Sequence, residues 1–568
     1  MPKLPFITLL RTSFFFRGLE LSAKSMFFHS NFLNGSVVGL AVHLGIFIRG
    51  EWHMQAPKLL FSHLILSLVT FGFNIRLSGF SPIACSNAYT VLGGYVCGLF
   101  SSILLYRLSP FHRLSKFPGP RLARVSKLWH VWQCRDSRNH LVIERLHEEY
   151  PGDFVRIGPS ELAVYHPDGL DIALGLGTKC TKSDFFDMML PNFSLVFTRD
   201  QATHHARRHV WTKALSMKSI KLYQNRINRQ IEVLRTQIRE SALACEEVVI
   251  NDVLYWFTFD AMGEFAFGED FGMMREKKWH FAIGMFRRAL SLLGMFSSAM
   301  WIIRIGFELF PWAPRARDWL SMEAFCHKQM DKRASTKSSE IDVASFFLEE
   351  AEKLGESHSA ARDKWLKGDA TTVIVAGSDT TAPSFVFIFY CLAKYPLDAE
   401  KIYEEVKNVD TLEIATVTTL PHLNGVINEA MRLYPVLPTG ISRLTPPEGV
   451  MFGNTFVPGN TKLLLPACVI SKLESAFVRG TEFIPERWYS KPEMIKKKHA
   501  FAPFGLGRMT CAGNGLAMTQ LRLVTATLVK EFKISFAPGE DGVPFLRDMR
   551  DQLTAQPGQL KLLFQERT

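Results

Sequence analysis

The chain has 568 residues, 47% hydrophobic and 12% aromatic, which suits one large folded body with extra apolar segments and argues against disorder. Its nine cysteines stand far apart with no Cys-x-x-Cys pair, so neither a zinc ribbon nor a dense disulfide framework is indicated. The formal charge of +12 does not point to nucleic acid, because Lys and Arg are dispersed among apolar runs rather than gathered with aromatics into a recognition surface.

In chain order, residues 1–31 form an N-terminal segment and residues 32–106 an anchor with three apolar stretches, Phe32 to Ile48, Leu59 to Phe73 and Tyr89 to Tyr106. Each approaches the roughly 17 to 25 residues that cross a bilayer. A cleaved signal peptide fits poorly, because the apolar material continues through several segments without a small-residue cleavage site. The cluster Arg107, His112, Arg113, Lys116, Arg121, Arg124 and Lys127 follows, and the positive-inside rule sets it in the cytosol. Lys3, Arg11, Arg17 and Lys24 weigh against an N-terminus across the membrane. One span, three spans, and two spans with an interfacial first segment therefore all fit.

Residues 107–120 are basic and end in Phe117-Pro118-Gly119-Pro120, which cannot continue a helix and reads as a stiff hinge. The body, 121–568, has helical periodicity at Arg138 to Tyr150, Ile220 to Glu240, Lys364 to Tyr395 and Asn514 to Phe532. Strand-like runs occur at Phe154 to Ile157, Leu162 to Tyr165 and Thr461 to Leu465. Residues 333 to 360 are polar and read as a surface connection into the longest helix.

The sharpest motif is Phe504-Gly505-Leu506-Gly507-Arg508-Met509-Thr510-Cys511-Ala512-Gly513, with a helix-like Leu516-Ala517 after it. Glycines around one cysteine let the backbone approach a flat cofactor and turn its amides toward the sulfur. The start of the following helix favours a thiolate. A buried free cysteine in a glycine turn is the plainer alternative. In Glu429-Ala430-Met431-Arg432 the spacing sets Glu429 and Arg432 on one helix face, an arrangement that is also common in surface pairs. In Ala376-Gly377-Ser378-Asp379-Thr380-Thr381 the small residues open a groove in the long helix, and Thr380 can bond back to the Ala376 carbonyl and bend it. A small-residue helix crossing would use the same residues.

Taken in this order, the three motifs resemble those of the cytochrome P450 family, with phenylalanine, glycine, cysteine and glycine of the last loop in register. The resemblance implies a mainly α fold with small β-sheets behind N-terminal transmembrane segments. It implies heme b with Cys511 as the axial iron ligand, and contacts to the cofactor from Phe504, Gly507 and Arg508. The family usually has Arg or His two residues before the cysteine, where Met509 stands here. It also implies an ion-pair network of Glu429, Arg432 and Arg487, the last in Phe483-Ile484-Pro485-Glu486-Arg487-Trp488. Thr380 would orient proton delivery during oxygen activation, and Asp379 would relay protons from solvent. His204 and Arg208, in place of the family's Trp and Arg four residues apart, and Arg443 would reach the heme propionates.

The implied reaction inserts one oxygen atom from O2 into a hydrophobic small molecule, and the wording of the sequence is most similar to fungal enzymes of secondary metabolism. NADPH-cytochrome P450 reductase, with cytochrome b5 as a second donor, would supply electrons, since no nicotinamide or flavin module is present and Gly175-Leu176-Gly177 is not a dinucleotide fingerprint. Lys496, Lys497 and Lys498 would contribute to a basic docking face. The location implied is the endoplasmic reticulum membrane with the body in the cytosol. Phe185 to Phe197 and Phe281 to Trp312 are expected to shape the substrate pocket. Two alternatives stand: a heme-thiolate isomerase or dehydratase working without O2, and a non-catalytic membrane ligand-binding protein.

Overall fold

The computed structural model describes residues 29–336, 341–354 and 358–567. Lys3, Arg11, Arg17 and Lys24 and nearly all of the N-terminal segment lie outside them. The chain divides into two compact units, 1–116 and 117–568.

In the first unit, α1 (His29–Phe47), α2 (Ala56–Ser78) and α3 (Pro82–Leu108) replace the three apolar stretches with longer helices, each long and apolar enough to cross a membrane. Gly79, at φ +66, terminates α2 in a conformation side chains resist. The Ser81 hydroxyl then accepts the Ala84 amide at 3.2 Å, and Pro82 stands in the first turn where no N–H is needed. Large apolar side chains such as Phe61, Leu68 and Phe73 on α2 are exposed. The polar ones are satisfied internally: His63 pairs with Tyr95 at 2.9 Å and His43 with Ser102 at 2.7 Å.

The second unit starts at Phe117, and its Pro-rich opening is docked rather than free to swing. The Pro118 carbonyl accepts the Arg156 amide at 2.6 Å, and Gly119 has φ +148 where any side chain would strike the Arg156 carbonyl. Arg156 belongs to the edge strand Phe154–Gly158 of a five-stranded sheet. From that edge the strands run Glu161–Val164, Lys462–Leu465, Ile441–Leu444 and Thr181–Lys182, and only Glu161–Val164 and Lys462–Leu465 pair parallel. A hairpin of Arg550–Gln552 and Thr554–Gln556 stands apart from it.

Lys561–Glu566 pairs with Val248–Val249 and Phe532–Phe536 in a third small sheet, Val450–Phe452 pairs with Thr455–Val457, and most of the rest is helical. The central one, Ser359–Lys394, is apolar enough to cross a membrane, but 78% of its apolar window is buried inside the body. Its apolarity is that of a core element, flanked by Ile250–Phe267 and Pro314–Ser335. The polar stretch 333 to 360 is not merely a connection. It contains a helix, Val343–Lys353, that buries Val343, Phe347 and Ala351 at a spacing of four and starts with a capping box on Asp342. Its short length and charged outer face hid that stripe in the sequence.

Candidate active site

A cavity of about 330 Å³ lies between the central helix and the Cys511 loop. On the loop side, the Cys511 amide donates to the Phe504 carbonyl at 2.7 Å and closes a tight turn. Gly505 (φ +72) and Gly507 (φ +66) permit it, and a side chain at Gly507 would strike the Leu174 carbonyl. The helix Asn514–Glu531 begins three residues past the cysteine. Burial pushes the Cys511 thiol up, while the amides of Gly513 and Asn514 and the Arg208 guanidinium oppose that shift by favouring the thiolate. Arg208 also donates to the Thr510 carbonyl.

Opposite, Ala376, Gly377 and Thr380 line the cavity. The helix is interrupted between Ser378 and Thr381. Pro383, which has no amide hydrogen for the Asp379 carbonyl, supplies the cause, and side chains satisfy the loosened turn. The Thr380 hydroxyl donates to Ala376 at 2.7 Å and that of Thr381 to Gly377 at 2.9 Å. Gly377 makes room for the end of the Met262 side chain, which would have to shift if a side chain stood there. The Asp379 carboxylate does not line the cavity. It is buried on the other side of the break, accepting from the Thr554 hydroxyl at 2.5 Å and the Gln556 amide at 3.1 Å. Burial raises it to about 6, opposed by those two bonds and by Arg287.

One end of the cavity is strongly basic. Lys182, His204, Arg208 and Arg443 line it, and among the described residues no Asp or Glu does. Lys182 and Arg443 face each other across adjacent strands. Burial, with Arg443 nearby, lowers Lys182 to about 7, and burial lowers Arg443 to about 10. His204 is lowered to about 4 by burial and then by the surrounding cations. His204 is thereby neutral at physiological pH, while Arg208, Arg443 and Lys182 without carboxylate partners are costly to bury, and a ligand carrying carboxylates would relieve that cost. A cysteine on the cavity wall with two amides and a guanidinium beside it, an apolar gap and this basic end together fit a heme with two propionates. Met509 contributes only its sulfur, 3.8 Å from Arg443. Arg508 is exposed and does not line the cavity, and Gly507 serves the turn rather than the wall.

Behind the loop, Glu429 accepts from Arg432 at 2.7 and 2.9 Å, from Arg487 at 3.0 Å and from the Trp488 indole at 2.9 Å. Arg432 and Arg487 spend their remaining donors on carbonyls of residues 471–482, so the three side chains of the network are fully buried yet satisfied. Sequence reading missed Lys182, Met262 and Trp488's bond. It also missed Asp369, which is buried in the central helix between Arg207 and Trp211. Phe186, Leu195 and Val196 from the expected pocket segment line the cavity, but no residue of 281–312 does. That segment packs into the core away from the cavity, with the buried Phe286 against Phe259 and Phe325.

The sequence profile of the family described as Cytochrome P450 matches residues 118–564. The chain belongs to the cytochrome P450 family. Among relatives of this P450, a cytochrome P450 monooxygenase of Purpureocillium lilacinum, lcsK, is 35% identical over 541 residues, covering 93% of this chain and 97% of that one. A tryprostatin B 6-hydroxylase of Neosartorya fischeri is 33% identical over 528 residues, covering 90% and 93%. The crystal structure of the cytochrome P450DA heme domain superposes with a TM-score of 0.63 at 18% identity, over 76% of this chain and 94% of that one, a likeness of fold. This P450 is a heme-thiolate monooxygenase of the fungal secondary-metabolite type, using a redox partner and a hydrophobic substrate, and its apolar N-terminal helices are compatible with membrane anchoring.

Proposed function

We propose that the cofactor is heme b held by Cys511, with Phe504 against it, and that the carbonyl-bonded Arg208, together with Arg443 and His204, receives its propionates. The observation that carries this reading is a single cavity with the Cys511 sulfur on one wall, Thr380 on the other and unopposed cations at one end. Lys182 belongs with that basic end. Its ammonium donates to the carbonyls of Leu195, Val196 and Thr198 at 2.7 to 3.1 Å, so it also fixes the segment that closes the pocket. When bound, the heme supplies activation of O2, which an axial thiolate favours by donating electron density.

The protein's own groups then manage protons and solvent. Thr380 holds a hydroxyl at the cavity wall on the loosened helix turn, and Asp379 directly before it keeps a carboxyl that burial raises to about 6. Apolar neighbours such as Phe186, Leu195, Val373 and Leu437 exclude water and select an apolar substrate. The Glu429, Arg432 and Arg487 network keeps the loop in register. Electrons come from NADPH-cytochrome P450 reductase, with cytochrome b5 as a second donor. The enzyme sits in the endoplasmic reticulum membrane with its catalytic unit in the cytosol, the side set by the cations after α3.

Cys511→Ser tests the assignment: the red-shifted Soret band of the ferrous carbonyl complex is lost, and its retention would exclude Cys511 as ligand. Turnover that needs neither NADPH nor O2 would point instead to an isomerase or dehydratase.

A further inference from the structure

α1 and α3 are packed backbone to backbone. Gly35 and Gly39 on α1 and Gly94 and Gly98 on α3 form two G-x-x-x-G patterns, and they meet. A side chain added at Gly35 would collide with the Val91 carbonyl, at Gly39 with that of Tyr95, at Gly94 with that of Phe32, and at Gly98 with that of Ser36. Such reciprocal small-residue contact is how helices approach in lipid, where burial of apolar surface supplies no force between them. Gly93, one residue off the stripe, would meet nothing within 4 Å.

The register also fixes direction. Asn31 bonds Asn87 at 3.4 Å, the Ser36 hydroxyl donates to the Gly94 carbonyl at 3.1 Å, and His43 pairs with Ser102 at 2.7 Å. Residue numbers rise together along both helices, so α1 and α3 are parallel. Contacts from residue 31 to 43 extend about 18 Å along the axis, more than half of a bilayer core of roughly 30 Å. An interfacial helix would cross α3 rather than follow it.

We infer that α1 spans the membrane in the same sense as α3, that α2 returns between them, and that the residues preceding His29 lie on the face opposite the end of α3. This rests on the membrane-anchored reading above and deepens it. The charges agree. In sequence, the α1–α2 connection and start of α2 carry Arg49 and Lys58, and the stretch that ends and follows α3 carries Arg107, Arg113, Lys116, Arg121, Arg124 and Lys127. The sequence before His29 carries Lys3, Arg11, Arg17 and Lys24, and the end of α2 carries Arg76, so the excess of cations goes with the end of α3, the cytosolic side.

The test uses full-length protein in yeast microsomes. Leu10→Asn sets a glycosylation acceptor before Arg11 and Thr12, in a background with Asn34→Gln to silence Asn34-Gly35-Ser36. One glycosidase-sensitive mass step in nearly all molecules is expected. No step, in protein that resists alkaline carbonate, would overturn the three-span topology alone, whereas release by carbonate would defeat the anchor reading itself. Gly35→Leu combined with Gly98→Leu is expected to reduce the modified fraction several-fold, and Gly93→Leu to leave it unchanged. Complete modification in the double variant would show that the glycine contact does not hold α1 across.

Discussion

The Glu429 carboxylate and the Arg487 guanidinium, 58 positions apart in the chain, meet at 3.0 Å with neither side chain exposed. Arg432 and Trp488 bind the same carboxylate, so Glu429→Ala strands two buried cations and an indole N–H at once. Breaking a buried pair costs about 3 to 5 kcal/mol, a large share of a domain's stability. Glu429→Ala and Arg432→Ala are expected to yield little holoprotein, measured as heme per polypeptide and by thermal unfolding. Normal heme content in both would show the network to be dispensable.

Thr380→Ala removes a hydroxyl from the cavity wall and little volume. The heme spectrum and substrate-induced spin shift are expected to persist, while product formed per NADPH falls and hydrogen peroxide rises. Thr381 is the control: it lines the same cavity and its hydroxyl bonds to Gly377 in the same way, but the residue is buried where Thr380 is more open. Full coupling in Thr380→Ala with loss in Thr381→Ala would move the role by one residue.

Asp379 carries a predictable pH dependence. Its carboxyl ionises at about 6 in the folded protein against 3.8 ordinarily, because it is buried. Between those values the unfolded chain releases a proton that the folded chain keeps. Its contribution to stability is therefore full below about pH 4 and is lost as pH rises through 6. Asp379→Asn, able to keep bonds to Thr554 and Gln556, removes this dependence. Measured by denaturant unfolding, the variant is expected to gain on the parent between pH 4 and 7 by on the order of 2 to 3 kcal/mol. A gap independent of pH would refute the shift.

A chain starting at Lys116 is expected to fold and bind heme, since the compact unit begins at Phe117. One starting at Arg121 lacks Pro118 and Gly119, which are docked on the Arg156 backbone, and is expected to melt several degrees lower. Equal melting temperatures would mean that this docking contributes nothing.

Local chemistry was the legible part of the site. Cys511 with its glycines, Glu429 with Arg432, and Thr380 with Ala376 each occupy one short stretch whose spacing already implies the geometry. Partners fixed by tertiary structure left no such trace. Lys182 meets Arg443 only because two strands pair, and Asp379 meets Thr554 and Gln556 across 175 and 177 positions. Arg508 shows the limit of position-matching: the turn through Gly507 directs it outward and its neighbour Met509 inward. In the fold, the longest helices were legible from apolar periodicity, whereas Val343–Lys353 was too short and too charged outside to announce its buried face.

The basic end of the cavity also bears on how much enzyme a cell holds. Lys182, Arg208 and Arg443 crowd together with no acidic lining residue among the described ones, so the heme-free fold is held at an electrostatic disadvantage that carboxylates of the proposed heme b would relieve. A ligand that binds only the folded state raises its population by mass action, and the unfolded remainder is open to proteolysis. Cofactor supply thereby becomes a control on abundance: with transcript unchanged, limiting heme synthesis is expected to shorten the protein's half-life, and Arg443→Gln to make that half-life less sensitive to heme.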